Sequence, residues 1–231
     1  MRVLVTRPEP DASKLAELLR ARGDEPVLAP LMEIRLSADE PPAGIADAVL
    51  LFTSANGVRA AEAHGVRSSR GVFAVGEATA AAARKAGFEI GGIADGDVAA
   101  LSALIADRLS KDQLLVHAAG RDLAGDLLSA LNARGYKTLR WRAYEALAAK
   151  ALPASAAAFL GGAAGAVLLY SPRSANLLVT LTRSAGLIAE ARRHRALCLS
   201  QAVADSAAAI AWASLEVAAN PRQETLLDLL G

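Results

Sequence analysis

Residues that commonly bind metals or form cross-links are scarce in this chain. Its 231 residues include one cysteine, Cys198, and three histidines that lie far apart, His64, His117 and His194. A lone cysteine cannot form an intrachain disulfide, and neither residue type recurs at the short spacing that zinc ligands require. We therefore expect no metal site. Cys198 lies in an apolar run and His117 ends one, so both are interpreted as core residues.

An excess of charge of either sign is also absent. Lysine and arginine total 25, aspartate and glutamate total 24, and the formal net charge is +1. Proteins that bind nucleic acid or membrane surfaces usually carry a basic excess, so neither partner is expected. The uncharged stretch 151–172 has the length of a membrane span, but proline and three glycines interrupt it. The apolar part of MRVLVTRP is too short for a signal peptide, so we expect a soluble, cytoplasmic protein.

Two stretches of the chain share the order apolar run, hydroxyl residue and helical segment. They are VLLFTSANGVRA (49–60) and AVLLYSPRSANLL (166–178). The apolar run is typical of a buried parallel strand, and the hydroxyl residue after it suits the N-cap of a helix. This repetition predicts two similar α/β domains, each with hydroxyls and backbone N–H groups at the carboxyl ends of its strands.

Two further pairs of segments match in the same order along the chain. VLVTRP (3–8) is similar to LVHAAG (115–120), and FAVGEATAAAA (73–83) aligns with LCLSQAVADSA (197–207). Alanine-rich sequences give chance matches, but several matches in one order indicate an internal repeat. The repeat has the order A, B, A′, B′.

The irregular segments of the chain suggest where its domains divide. Proline-containing breaks occupy 35–44 and 144–153, which we interpret as two hinge segments. Residues 1–34 alone are too few for a domain, so we expect them to join 147–231 around an inserted domain at 45–143. Five parallel strands are predicted in each domain, with helices between them. One of these helices, Leu123–Arg134, has an apolar face that includes Leu123.

The order of five features resembles that of the uroporphyrinogen-III synthase family along essentially the whole chain. They are LVTRP, LFTSANGV, FAVGEATA, Tyr144 and LLYSPRSA. The resemblance implies two flavodoxin-like domains with a ligand cleft between them and no metal or cofactor. It also implies a cyclising lyase of haem-type tetrapyrrole biosynthesis. Such a lyase closes linear hydroxymethylbilane into uroporphyrinogen III, inverting the D ring and losing water.

One segment departs from the family pattern. The second repeat of the family usually reads Gly-Pro-x-Thr after its strand, but this chain has Ser200-Gln201-Ala202-Val203. Thr79 keeps the corresponding hydroxyl in the first repeat, and Val203 lacks it. The change favours a binding role for the backbone N–H groups at that turn.

The carboxyl ends of the predicted strands supply the candidate substrate-binding residues, because ligands of open α/β sheets bind at that edge. The implied substrate carries eight carboxylates, which suit arginines and helix N-termini. The hydroxyl residues have an alternative role as helix caps, and the arginines as solvated surface residues. The residues predicted to bind substrate are Thr6, Arg7, Thr53, Ser54, Asn56, Gly76, Thr79, Arg121, Ser171 and Ser200.

Tyr144 is the candidate catalytic residue. It follows the last strand of the inserted domain, and a phenol there could hydrogen-bond the departing hydroxyl of the substrate and assist its loss as water. The alternative is a tyrosine that packs at the hinge. The implied substrate readily forms an azafulvene, so the main task of the enzyme would be to orient the D ring for attack through its substituted carbon, which gives a spiro intermediate.

Two other functions fit parts of the sequence. A non-catalytic tetrapyrrole-binding or regulatory module on the same fold would explain the loss of the hydroxyl at Val203. A protein that binds a phosphorylated sugar or nucleotide is disfavoured, because no P-loop and no GxGxxG follows a strand. For the synthase we expect a monomer that takes hydroxymethylbilane, with hand-over from hydroxymethylbilane synthase.

Overall fold

The computed structural model describes residues 1–122 and 125–231. Contacts between residues divide the chain into two compact units. Unit 1 consists of Met1–Glu33 and Leu147–Gly231, and unit 2 consists of Ile34–Ala146. In the part of the chain that is described, none of the helices combines the length and the apolar character needed to cross a bilayer.

Strands and helices alternate along most of the chain. The strands are β1 (Arg2–Val5), β2 (Glu25–Leu28), β3 (Met32–Leu36), β4 (Val49–Phe52), β5 (Val72–Val75), β6 (Ile90–Ala94), β7 (Leu114–Gly120), β8 (Lys137–Ala148), β9 (Ala166–Leu169), β10 (Arg195–Cys198) and β11 (Ser214–Val217). The helices are α1 (Asp11–Ala21), α2 (Ala55–Ala63), α3 (Glu77–Lys85), α4 (Val98–Arg108), α5 (Leu127–Ala133), α6 (Ala154–Gly161), α7 (Pro172–Ser184), α8 (Ile188–Ala191), α9 (Gln201–Ala207) and α10 (Gln223–Asp228). A 3-10 turn covers Ile45–Asp47. The predicted helix Leu123–Arg134 corresponds to α5, and Leu123 lies outside the described residues.

Unit 1 is built on a parallel sheet with the strand order β11-β10-β9-β1-β2. Its central strand β9 is buried along its whole length, as its uninterrupted apolar sequence predicts. Separate hydrophobic clusters cover the two faces of the sheet. Cys198 is fully buried in one of them. The predicted sheet of five parallel strands is therefore confirmed for this unit.

Unit 2 has a sheet of six strands in the order β3-β8-β7-β4-β5-β6, which corrects the predicted five. The additional strand is β3. Backbone hydrogen bonds from Ser37 to Ala143 (3.0 Å) and from Ala149 to Leu31 (2.9 Å) show that β3 is antiparallel to β8. Both strands extend into the segments that were interpreted as hinges. The apolar-polar alternation of Met32–Leu36 is the signal of a half-exposed strand, and the nearby prolines concealed it.

Apart from β3, the two sheets have the same topology. The order β11-β10-β9-β1-β2 in unit 1 corresponds to β6-β5-β4-β7-β8 in unit 2, so the internal repeat is confirmed. The pairing register agrees as well, since Val5 lies opposite Leu168 and His117 lies opposite Leu51. Equivalent positions of the two units can therefore be compared residue by residue.

Candidate functional site

The end of β4 leads directly into helix α2 in unit 2. Ser54 is the N-cap of this helix, and its hydroxyl accepts a hydrogen bond from the backbone N–H of Asn56 at 3.1 Å. The side-chain oxygen of Asn56 accepts from Arg59. Ser54 and Asn56 therefore have structural roles at the helix start, and both remain half-exposed at the carboxyl edge of the sheet.

Thr53 lies immediately before this cap and has a partner that the sequence did not indicate. Its hydroxyl is 3.0 Å from Nε2 of His117 on the neighbouring strand β7. The imidazole is 2% exposed, and no protein group among the described residues bonds its Nδ1. Burial, assisted by the charge of Arg140, lowers the pKa of His117 to about 4. His117 is therefore a neutral core histidine, as predicted, and it contacts a candidate binding residue.

The turn from β5 into α3 carries the next two candidates. Gly76 is the N-cap of α3 with φ 75° and ψ 152°, a conformation that residues with a side chain rarely adopt. A Cβ placed on Gly76 would have no atom within 4 Å, so the space in front of the turn is open. Thr79 lies in the first turn of α3 and is 6% exposed. The backbone at Gly76 is thus accessible to a ligand, and the side chain of Thr79 is largely buried.

Tyr144 lies in β8 beside an irregularity in the sheet. The pairing with β7 skips one residue there, so that Gly120 is opposite Tyr144. A Cβ at Gly120 would lie 3.0 Å from Cζ of the Tyr144 ring and 3.2 Å from its hydroxyl oxygen. The absence of a side chain at Gly120 therefore makes room for the half-buried phenol.

A polar pocket of about 280 Å³ in unit 2 is lined by Ser37, Asp39, Arg121, Arg142 and Glu145. Arg121 and Glu145 form an ion pair of 3.5 Å in its wall. Arg142 donates from Nε to a carboxylate oxygen of Asp39 at 2.8 Å. Only Nε of Arg142 has a bonding partner among the described residues, so its terminal nitrogens are available for an anion. The sequence interpretation included Arg121 and missed Arg142, which is predicted inside a strand.

The end of β1 carries two candidates in unit 1. The hydroxyl of Thr6 is buried and donates to the backbone carbonyl of Leu168 at 3.2 Å. Arg7 donates to Asp11 at 2.9 Å and to Gln223 at 3.1 Å. Its guanidinium also lies over the ring of Tyr170. Both side chains therefore connect elements of unit 1.

Ser171 and Ser200 follow the neighbouring strands β9 and β10. The Ser171 hydroxyl accepts from the backbone N–H of Ser174 at 3.1 Å and so caps α7. Ser200 is the N-cap of α9, and within the described ranges its side chain makes no cap hydrogen bond. The predicted residues thus form two groups, each on the carboxyl edge of one sheet. Neither group is arranged to hold a metal, since three or more His, Cys, Asp or Glu side chains come together nowhere in the described residues.

The fold, with candidate binding residues at the carboxyl edge of each sheet, defines a class of α/β proteins built from two topologically equivalent units. The structure of a uroporphyrinogen-III synthetase from Helicobacter pylori is similar, with a TM-score of 0.66 at 16% identity over 99% of this chain and 96% of that one. A mutant uroporphyrinogen III synthase from Thermus thermophilus gives a TM-score of 0.60 at 18% identity, covering 99% and 97%. No curated protein has a significant match to the sequence.

The family is shown by sequence. The family model for uroporphyrinogen-III synthase HemD matches residues 13–228. The chain therefore belongs to the uroporphyrinogen-III synthase family, and it is a lyase of tetrapyrrole biosynthesis whose substrate is hydroxymethylbilane.

Proposed function

We propose that this chain closes hydroxymethylbilane into uroporphyrinogen III with inversion of the D ring, and that the substrate binds at the carboxyl edges of the two sheets. The observation that supports this most strongly is the family match over residues 13–228. Open N-terminal turns and hydroxyl residues at these edges suit a ligand with many carboxylates. The proposed binding residues are those predicted from the sequence, namely Thr6, Arg7, Thr53, Ser54, Asn56, Gly76, Thr79, Arg121, Ser171 and Ser200.

Tyr144 is proposed to assist the loss of the substrate hydroxyl. Its phenol would donate a hydrogen bond to the departing oxygen, which leaves as water. Attack through the substituted carbon of the D ring gives the spiro intermediate, and the old bond from that carbon to its bridging methylene then breaks. The ring closes again through its unsubstituted α-carbon, and the proton lost from that carbon balances the proton that the departing oxygen takes up. Since the bilane forms its azafulvene readily, the larger contribution of the protein would be to hold the D ring in the orientation for attack through its substituted carbon.

The pocket lined by Arg121, Arg142 and Glu145 is proposed to bind one carboxylate of the substrate. The exposed ion pair between Arg121 and Glu145 is long, and such pairs contribute little to stability, about 0–1 kcal/mol. Arg121 can therefore exchange Glu145 for a substrate carboxylate at small cost. Asp39 holds Arg142 in place through Nε, and the terminal nitrogens of Arg142 would bind the same substrate carboxylate.

The test is an assay in which hydroxymethylbilane is generated in situ and the oxidised products are separated by isomer. We expect mostly the type III isomer, formed faster than the spontaneous reaction. If folded protein gave only type I isomer at the uncatalysed rate, the synthase proposal would be wrong. A non-catalytic tetrapyrrole-binding module would then be the better description, and titration with uroporphyrin would test it.

The remaining parts of the proposal concern assembly and partners. We propose that the chain is a cytoplasmic monomer, that 35–44 and 144–153 act as hinge segments, and that the unstable bilane is handed over by hydroxymethylbilane synthase. Light scattering after size exclusion would test the monomer. An inactive hydroxymethylbilane synthase that lowers the yield of type III isomer by competition would support hand-over, and the absence of any effect would argue against it.

A further inference from the structure

The contact between His117 and Thr53 has no counterpart in the other unit. The position equivalent to His117 is Val5, which is fully buried, and the position equivalent to Thr53 is Tyr170. Since a valine fills this place in unit 1, the fold does not require an imidazole there. A buried imidazole with one unbonded nitrogen is destabilising relative to an apolar side chain. His117 therefore has a role that packing alone does not explain.

The hydrogen-bonding capacity of the pair determines which atom donates. His117 is neutral at pH 7, because its pKa is about 4. One of its nitrogens therefore carries a proton and the other is an acceptor. The Nδ1 atom has no protein partner in the described residues, and buried N–H groups without a partner are rarer than incompletely bonded acceptors. The proton is thus assigned to Nε2, which donates to the oxygen of Thr53.

The Thr53 hydroxyl therefore accepts from His117 and keeps its own proton for another partner. When Nε2–H of His117 donates to its oxygen, the hydroxyl proton must be directed to another acceptor. The structure shows no second partner for this hydroxyl among the described residues, and Thr53 is half-exposed. Thr53 also directly precedes the N-terminus of the nine-residue helix α2, which favours negative charge.

We propose that His117 is a positioning residue that makes Thr53 an obligatory hydrogen-bond donor to an anionic oxygen of the ligand, of the carboxylate class. The proposal rests on the proposed function for the identity of that carboxylate, which would belong to the substrate. His117 itself does not touch the ligand. It sets the direction in which the Thr53 proton points, and thereby favours ligands that present acceptors over ligands that present donors.

The tautomer can be measured on the unliganded protein without any activity. Long-range ¹⁵N–¹H correlation spectra of ¹⁵N-histidine-labelled protein at pH 7 distinguish a protonated Nε2 from a protonated Nδ1. Substitution of His117 by glutamine identifies its signals among those of the three histidines. We expect the Nε2–H tautomer for His117. A protonated Nδ1 or a doubly protonated ring would overturn the proposal and would leave the synthase function unaffected.

The second experiment separates binding from chemistry in the coupled assay. We expect Thr53→Val to raise KM for the bilane about tenfold, the effect of losing one hydrogen bond to a charged group, with a smaller change in kcat. His117→Leu should raise KM severalfold, and His117→Gln, which keeps an N–H donor, should recover most of the loss. Thr53→Ser, which keeps the hydroxyl, should remain near the wild type.

Two outcomes would contradict the positioning role. One is a folded His117→Leu protein whose KM equals that of the wild type. The other is a folded Thr53→Val protein whose KM equals that of the wild type. Thermal unfolding of each variant shows whether it is folded at the assay temperature. All variants that turn over should still give type III isomer. Loss of the isomer preference in every protein, including the wild type, would contradict the proposed function instead.

Discussion

The guanidinium of Arg7 lies over the ring of Tyr170, with 4.4 Å between its central carbon and the ring centroid. The same group donates to Asp11 and Gln223, so it joins the ends of β1 and β9 to α1 and α10. Burial raises the pKa of Tyr170 to about 12, and the charge of Arg7 opposes part of this increase. Arg7 therefore stabilises the carboxyl edge of unit 1, in addition to any contact with substrate.

Replacement of Arg7 by alanine should lower the stability of unit 1. A cation–π contact contributes about 0.5–1 kcal/mol and a partly exposed ion pair up to about 1 kcal/mol, so we expect a loss of about 1–2 kcal/mol. Urea unfolding monitored by circular dichroism would measure it. Arg7→Lys keeps the charge and loses the planar stacking, so an intermediate loss is expected. Equal stability of the three proteins would show that these contacts contribute nothing.

The alternation of strands and helices and the parallel sheets could be predicted because the central strands are continuous apolar runs and because the chain repeats itself. Strand β3 was missed, since Met32–Leu36 is a half-exposed edge strand that follows a proline and precedes a proline-rich loop. The partner of His117 was also not predictable. Thr53 is 64 residues away, so only the pairing of β4 with β7 brings the two side chains together. Similarly, the sequence does not reveal that the side chains of Thr6 and Arg7 are already bonded within unit 1.

The close contact between Gly120 and Tyr144 can be used to displace the phenol without removing it. A methyl group at Gly120 would lie 3.0 Å from the ring carbons, so the ring has to move in Gly120→Ala. If the phenol donates one hydrogen bond in the transition state, worth about 1 kcal/mol, then Tyr144→Phe should lower kcat about fivefold. Gly120→Ala should have a similar effect, and we expect type III isomer from both variants.

The double variant shows whether both changes act through the same group. Gly120→Ala should have little further effect on kcat in a Tyr144→Phe protein, because the displaced hydroxyl is already missing. Independent, additive effects would mean that Gly120 acts in another way. A complete loss of turnover in a well-folded Tyr144→Phe protein would contradict catalysis by positioning.

The buried imidazole of His117 predicts a dependence of stability on pH. Its pKa is about 4 in the folded protein, against an ordinary pKa of 6.5 in the unfolded chain. Between these values the unfolded chain binds more protons, so stability falls as the pH is lowered from 6.5 towards 4 and is unaffected above that range. The loss due to this residue should be about 2 kcal/mol at pH 5.

Comparison with His117→Gln isolates this contribution, because all other titrating groups are common to both proteins. The free energy of unfolding should be measured by urea titration at pH 7.5 and pH 5. We expect the wild type to lose about 2 kcal/mol more than the variant over this interval. Parallel changes in the two proteins would show that His117 titrates normally in the folded state.

Gly57 allows α2 to pack closely on the strand beside it, and this packing sets the position of the N-terminus at Ser54. A Cβ at Gly57 would lie 2.4 Å from the backbone carbonyl oxygen of Ala118, which cannot move as a side chain does. Gly57→Ala should therefore destabilise unit 2 by about 1–3 kcal/mol, although alanine is the better helix former.

Gly161 at the end of α6 is the matched control, because a Cβ there would contact nothing within 4 Å. Gly161→Ala should be neutral or stabilising by about 0.5 kcal/mol. Urea unfolding of both variants tests the argument, and a Gly57→Ala protein as stable as the Gly161→Ala protein would show that α2 can move away from β7 without cost.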